Sequence, residues 1–504
     1  MVDCKSILEN ITGSNSRRAF WVIIGVVSLG MGLRALGLNK GIWLDEYSSI
    51  GLISHGNVMT NLRGYDHPPL YFIFLKLWSF INSSEPFLRA FSLIWGVGTI
   101  IVVIKWIGGY SPLAGIISGI CCAFMPAMLR FSQEIRGYSL LLFATALSFY
   151  FASQIAMKPG TRFSYIGLTA ALTAAVATHL VGVMLLPSIF LFLLLSMPSH
   201  QKHNVLPIIL CLVIPSVVFV GEYYFFMPAG VRARTAETWW MPPVTIDLIG
   251  FVAAYLLGAS SLSWTLTLVQ KYGPMIAVPL MAVLFSSFVV FFGSLWTGNW
   301  RRSFPLLAAA ATYCLLLIGF SFLKAPIFGE RTALPALIPL IGFMGVQAAT
   351  IKSPKIYMIS CAALLIISMN SIVVWTAHQA WMPYEHTREI AQTLQQRRQP
   401  HDVVIFYPSY FSGPIRYYDP ELPMEDQICL KPEASFGEIE GIKKTIQKAS
   451  PSAVFLVVRN DLSVKKAFTT YQHLQEVLAS EIGSPDVIKV FDTLSLTHYR
   501  RTKK

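Results

Sequence analysis

Long apolar runs recur along this chain, and several approach the roughly 20 helical residues needed to cross a hydrocarbon core of about 30 Å. They carry no polar stripe, unlike a helix that buries one face in a soluble core. In lipid the backbone must satisfy its own hydrogen bonds, so runs of this length form helices. Charged residues make up only 13% of the chain and hydrophobic ones 54%, and the charged share is about half that of a soluble domain. The sequence therefore specifies a polytopic α-helical membrane protein. Its formal charge of +13 combines the cytoplasmic Lys/Arg bias of membrane proteins with a potential for anionic ligands or lipids. No basic stripe on a soluble helix points to nucleic acid.

About eleven spans are expected, near residues 19–37, 87–107, 112–129, 138–157, 163–178, 181–197, 205–226, 275–297, 303–323, 333–350 and 356–376. The first follows Arg17 and Arg18 and lacks a small-x-small cleavage site, so it reads as a retained span rather than a signal peptide. With residues 1–18 as a cytoplasmic N-terminus, alternate short connections carry Lys105, Lys158 with Arg162, Lys202, Arg301 with Arg302, and Lys352 with Lys355. That obeys the positive-inside rule. Residues 246–268 are apolar enough to span, but a span there would move Arg301 and Arg302 outside; they are read as an interfacial or re-entrant helix.

The outer connections are then 38–86, 130–137, 227–274 and 324–332, with everything after 377 on the same side. Residues 377–504 alternate strand-like stretches (402–408, 453–459, 486–493, 494–500) with helix-like ones (385–398, 435–450, 464–483). This predicts a small extracytoplasmic α/β domain after a membrane domain over 19–376. Of the seven cysteines, five (Cys121, Cys122, Cys211, Cys314 and Cys361) lie in apolar runs, and Cys429 is alone in the C-terminal part. No disulfide framework or metal spacing emerges.

Ionisable residues concentrate in the outer connections. Asp45 and Glu46 stand in Trp43-Leu44-Asp45-Glu46-Tyr47. A carboxylate there can deprotonate an attacking hydroxyl or bind a divalent cation; the structural alternative is a solvated acid that caps the next helix. Asp66 and His67 precede Pro68 and Pro69, at a helix start where anions are favoured. His67 can contact a phosphate or sugar, or carry a proton; the alternative is a surface histidine at a proline-initiated helix. Glu134, Arg136 and Tyr138 fall in a short hairpin. Arg136 suits a phosphate and Tyr138 a sugar face, against a plain structural ion pair. Lys324 and Arg331 bracket the connection before the tenth span and suit a lipid phosphate or headgroup snorkelling. Residues 232–240, with Arg232, Arg234, Glu237, Trp239 and Trp240, read equally as an aromatic belt or as a flap over a lipid-linked substrate. His179, in a tight hairpin, reads as a turn residue rather than a ligand.

An Asp-Glu pair in the first outer loop, a following His-Pro-Pro-Leu-Tyr helix start, Arg89 in Phe87-Leu88-Arg89, and Gln133-Glu134-Ile135-Arg136-Gly137-Tyr138 occur in that order. This resembles the GT-C glycosyltransferases, in particular the branch with protein O-mannosyltransferases, aminoarabinose transferases and RgtA/B/C/D-like enzymes. Gly329-Glu330-Arg331 before a proline-bearing span fits the same branch, whereas Asp66-His67 stands where some relatives have Glu-Lys. The resemblance implies a GT-C-like membrane domain with catalytic outer loops in a bacterial inner (plasma) membrane. It implies an inverting hexosyl- or pentosyltransferase that takes a sugar from a polyprenyl-phosphate donor to a lipid, polysaccharide or protein acceptor at the extracytoplasmic face. Asp45, with Glu46, matches the catalytic acid position, acting as base or through a divalent metal such as Mg or Mn. Asp66, His67, Arg89, Glu134, Arg136, Tyr138, Lys324 and Arg331 would bind substrate, with Arg89 bracing the loop.

Two other classes compete. A transporter or lipid flippase needs polar groups near the bilayer midplane, where this chain is nearly all apolar. A non-catalytic membrane assembly protein has no use for so many ionisable groups at one face, and it would tolerate Asn at position 45.

Overall fold

In a lipid environment every backbone N–H and C=O must find its partner within the protein, and the computed structural model of the chain is built accordingly, helix upon helix, up to a soluble-type sheet near the C-terminus. The structure describes residues 16–54, 56–63, 65, 67–157, 161–198, 205–225, 227, 229–232, 241–258, 274–379, 386–431, 434–459, 465–490 and 494–501. Of the residues singled out above, Asp66, Lys158, Lys202, Arg234, Glu237, Trp239, Trp240 and 259–268 lie outside this set. The chain divides into two compact units, one of Met1–Leu38 with Leu52–Ala380, the other of Asn39–Gly51 with Trp381–Lys504.

In the first unit, six helices among the described residues are long and apolar enough to cross a membrane: Glu85–Gly108, Tyr138–Met157, Leu206–Phe225, Val278–Leu295, Trp300–Leu323 and Pro354–Val373. Several expected spans are shorter or broken, each for a local reason. The run 112–129 divides into Pro112–Phe124 and Pro126–Phe131 at Met125, whose backbone is extended, as a residue before proline prefers. The run from Val181 opens with a 3-10 turn, Leu180–Met184, before its helix Leu185–Ser196. The run from Ala333 does the same at Leu334–Ala336, with Pro335 in the turn. The helix Ile246–Leu256 has 11 residues and is followed by Gly258 in the left-handed region, where glycine is favoured. At 1.5 Å per residue it extends about 16 Å, too short to cross.

A buried arginine satisfies the break at Met125. Arg34, fully buried, donates to the carbonyls of Gly30 (2.9 Å), Ala123 (3.0 Å), Cys122 (3.0 Å) and Met128 (3.4 Å) and to Ser132 Oγ (3.1 Å). Carbonyls released where a helix breaks need donors, and the guanidinium fork supplies five N–H groups. Gln133 Nε2 closes the junction on the Arg34 carbonyl at 2.7 Å. Gly96 lets Ser132 approach its backbone more closely than any Cβ would permit.

In the second unit a five-stranded sheet has the order β2-β1-β3-β5-β4, from β1 (Val403–Tyr407), β2 (Gln427–Cys429), β3 (Ala453–Arg459), β4 (Pro485–Val490) and β5 (Leu494–Arg500). β1 pairs in parallel with β2 and β3, while β5 runs antiparallel to β3 and β4. Strands buried on both faces read as continuous apolar runs, as in Val403-Val404-Ile405-Phe406-Tyr407 and Ala453-Val454-Phe455-Leu456-Val457-Val458. One face packs on Ile439, Ile442 and Ile446 of Phe436–Ala449 and on Leu474 and Leu478 of Lys465–Glu481. The other packs on Ile390 and Leu394 of Thr387–Arg397 and on Ile415 of Ser412–Tyr418. Ser435 and Glu438 form a capping box at the start of Phe436–Ala449. The short strand β2 and the helix Ser412–Tyr418 lie between elements that the apolar pattern marks.

Candidate functional site

Within the first unit, residues from four separate connections meet around two histidines. Pro68 and Pro69 set up the start of the helix Leu70–Ser79, and His67 precedes them. An Arg136 Nη atom lies within hydrogen-bonding reach of His67 Nε2. Its other Nη donates to Tyr65 OH at 3.3 Å. The His67 ring lies 5.4 Å from that of His179 and 5.3 Å from that of Tyr65, and the His179 ring lies 5.8 Å from that of Tyr138.

The hairpin before Tyr138–Met157 is held from both sides. Ser92 Oγ donates to the Arg136 carbonyl at 3.4 Å and shares a 3.0 Å hydrogen bond with Tyr71 OH. His179 Nδ1 accepts from Val181 N at 3.3 Å and so caps the turn Leu180–Met184. Tyr313 OH shares its one proton between the carbonyls of Val181 (3.2 Å) and Thr332 (3.0 Å). It thereby ties the His179 turn to the loop bearing Glu330 and Arg331. Ser321 Oγ accepts from Ile327 N (3.0 Å) and Phe328 N (2.9 Å) to fold that loop over its own helix end.

The electrostatics of the cluster are cationic. Burial first, then Arg136, His179 and Arg331, hold His67 well below the usual imidazole range. Burial, then Arg136, lowers His179 to about 4. Both rings are therefore neutral at physiological pH and offer hydrogen bonds rather than charge. Beside them Arg130 pairs with Glu134 at 3.1 Å and with Glu330 at 3.7 Å. Glu134 is thus occupied in orienting Arg130, a residue that sequence reading passes over.

An apolar groove of about 900 Å³ runs along the helix Arg162–Thr178. Its lining includes Tyr165, Thr169, Thr173 and Ala177 of that helix, Leu210 and Ile214 of Leu206–Phe225, and Leu70. Ala177 and Leu70, which line it, stand two and three residues from His179 and His67 in the chain. A 17-residue helix is about 25 Å long, enough for an extended hydrocarbon chain to lie along it.

The other expected site residues are placed differently. Arg89 is fully buried, donates to the Leu38 carbonyl at 2.8 Å and lies 3.8 Å from Glu85. It braces the chain leaving the first helix, as its position at a helix start suggests. Lys324 is the exposed C-cap of Trp300–Leu323. His179 is a turn cap, as its hairpin position suggests, and is also the ring that joins His67 to Tyr138. The legible signal for this second role is its position at the end of a span whose neighbouring connections hold His67 and Arg136.

Asp45 and Glu46 belong to the second unit. They lie in the first turn of the helix Leu44–Ser54. Glu46 is fully buried and accepts from Trp43 N at 3.4 Å, a carboxylate reaching back over its own helix start. Asp45 is only partly buried. Among the described residues no group of three or more His, Cys, Asp or Glu side chains is arranged to hold a metal ion.

Comparison with known proteins follows from this geometry. Residues 66–220 match the family described as dolichyl-phosphate-mannose-protein mannosyltransferase. Among curated proteins none matches the chain. Among solved structures, ArnT from Cupriavidus metallidurans bound to undecaprenyl phosphate is similar at a TM-score of 0.56 and 11% identity, over 95% of this chain and 98% of that one. The oligosaccharyltransferase AglB from Archaeoglobus fulgidus, in complex with an inhibitory peptide and a dolichol-phosphate, is similar at 0.52 and 11% identity, over 91% of this chain and 70% of that one. The chain accordingly has the GT-C fold that these structures share, and residues 66–220 carry the family match.

Proposed function

We propose that the chain transfers a sugar from a polyprenyl-phosphate donor to an acceptor at the extracytoplasmic face of a plasma membrane. The carrying observation is the buried cluster of Arg136, His67 and His179, with an apolar groove along the helix Arg162–Thr178 that leads up to His179 in the chain. A lipid phosphate has one long apolar part and one compact anion, and groove and cluster match them in turn. That the ArnT structure holds undecaprenyl phosphate and the AglB structure dolichol-phosphate supports the same class of donor.

In this reading the isoprenoid chain lies along Arg162–Thr178. Arg136 and Arg331 face the phosphate, and His67 and Tyr65 hold Arg136 in place. The acceptor hydroxyl attacks the anomeric carbon as the bond from that carbon to the phosphate oxygen breaks. The hydroxyl proton passes to Asp45, and the polyprenyl phosphate leaves with the bonding electrons. Arginines fixed before the reaction stabilise the charge that grows on the phosphate. Glu46, turned back onto Trp43, keeps the helix start in shape. One displacement of this kind inverts the anomeric centre. The acceptor is a lipid, a polysaccharide or a protein. Asp45 serves as base; the other assignment, a divalent cation such as Mg or Mn on Asp45, requires ligands from the substrate or water, and chelation tests it.

Membranes containing wild type or Asp45→Asn, offered a panel of radiolabelled polyprenyl-phosphate sugars, test the proposal. Transfer by the wild type and its loss in an equally abundant, inserted Asp45→Asn protein is the expected result. Equal transfer by both removes Asp45 from the chemistry. Failure with every donor and acceptor favours a transporter or an assembly protein.

A further inference from the structure

We infer that the C-terminal α/β domain is the positioning element for the Asp45 carboxylate. The inference rests on the proposed role of Asp45. Its basis is a clasp inside the second unit, where the segment Asn39–Gly51 is held by residues more than three hundred positions later in the chain.

Ile42 is gripped on both sides of its backbone. Its N–H donates to Tyr418 OH at 2.7 Å, and its carbonyl accepts from Thr387 Oγ1 at 2.6 Å. Ile42 and Thr387 are fully buried. Arg388 extends the grip, with one Nη donating to the Lys40 carbonyl at 3.1 Å and the other 3.4 Å from Asn39 Oδ1. Its guanidinium lies over the Tyr418 ring, 5.4 Å from the centroid. Tyr418 thus binds Ile42 through its hydroxyl and Arg388 through its face, and these contacts support one another.

The far side of the acidic helix is held by shape. Tyr47 packs so closely on Gly413 that a Cβ there would lie 2.6 Å from Tyr47 Cε1. Thr387 and Arg388 open the helix Thr387–Arg397, and Gly413 and Tyr418 belong to Ser412–Tyr418. Both helices pack through Ile390, Leu394 and Ile415 on one face of the sheet. The clasp is therefore built on two helices anchored to the sheet. Asp45 lies three residues after the doubly bonded Ile42 and two before the wedged Tyr47, so its backbone is pinned on both sides. A catalytic base must stand within about 2.6–3.2 Å of the proton it takes, and a displacement of about 1 Å can cost roughly 100-fold in rate.

The test uses the full-length protein in membranes with saturating donor. Tyr418→Phe, Thr387→Val and Gly413→Leu are expected to lower kcat by about 10- to 100-fold and to leave KM for the donor within about twofold, because donor contacts lie on other residues. Thr387→Ser keeps the hydroxyl and is expected to restore kcat, which separates positioning from a general loss of folding. A second measurement needs no activity. A Cβ at Gly41 would lie 3.5 Å from Arg388 Cβ, within the range for a disulfide, so Gly41→Cys with Arg388→Cys should cross-link under mild oxidation while either single variant does not. Unchanged kcat in Tyr418→Phe and Thr387→Val, alongside an inactive Asp45→Asn, would overturn the clasp and leave the proposed reaction standing. An active Asp45→Asn would overturn the reaction instead, and with it the catalytic purpose of the clasp. Failure of the double-cysteine pair to cross-link would overturn the clasp whatever the activity.

Discussion

The two units hold their critical residues by opposite means. In the first, an apolar helical framework carries few ionisable groups, and those of the cluster are bound by side chains from distant connections, as Arg136 is by Tyr65 and His67. In the second, polar residues are common, and the segment bearing Asp45 is fixed mainly through its backbone, by Thr387 and Tyr418 on Ile42. The difference decides what each unit tolerates. Replacing a member of the cluster removes a partner of Arg136 itself, whereas each clasp contact acts on Asp45 only through the backbone.

The largest expected effect comes from the base. Asp45→Asn should reduce kcat by roughly 1,000-fold or more, since a positioned general base contributes about 10²–10⁴; single-turnover transfer with saturating donor measures it. Next stands Arg136→Gln, which should cost about 10²–10³ in kcat/KM if the guanidinium meets the departing phosphate. Steady-state kinetics that instead show a pure KM effect would assign Arg136 to ground-state binding. Arg34→Leu tests the structural counterpart. It strands the carbonyls at the Met125 break and should destabilise the protein by about 3 kcal/mol or more. Thermal unfolding in detergent measures this, and per-molecule activity of the folded fraction should stay near wild type.

The pH dependence is a finer test. His179 has its folded value near 4, below the ordinary imidazole value, and His67 is lowered in the same direction. As pH falls below about 6.5 the unfolded chain takes up protons before the folded one does. The stability contributed by these rings is therefore complete above about 6.5 and declines towards about pH 4. Donor binding should show no inflection near 6.5. In Arg136→Gln the loss of a neighbouring cation should move the His179 titration upward, which donor affinity against pH would reveal. The smallest effect is expected at Lys324, an exposed cap, where Ala should change kcat/KM by less than about threefold.

The first unit was the more legible in sequence because lipid makes charge expensive. His67, Arg136 and Arg331 stand out against apolar spans, and their order along the chain, after Asp45 of the second unit, carries the resemblance to GT-C enzymes. Nothing in the sequence marks the role of Arg34, because an arginine at a span end has the same appearance whether it meets a ligand or, as here, backbone carbonyls. His179 was hidden by its ordinary turn context. In the second unit the apolar strands Val403–Tyr407 and Ala453–Arg459 are plain in sequence. The short β2 is not, because three residues carry too little pattern. Nor was the clasp: Thr387, Gly413 and Tyr418 are ordinary surface residue types, and only the fold shows that they close on Ile42.

In the proposed reaction the groove along Arg162–Thr178 takes the isoprenoid chain and the Arg136 cluster takes the phosphate of the lipid donor. The most direct test of this division is binding of polyprenyl phosphate, without sugar, to the purified protein, followed by native mass spectrometry for wild type, Arg136→Gln and Ala174→Trp, the last projecting into the groove. The account predicts one bound lipid on the wild type, displaced by the sugar-bearing donor and weakened at least tenfold in both variants. Equal binding by all three proteins, or none by the wild type, would contradict it.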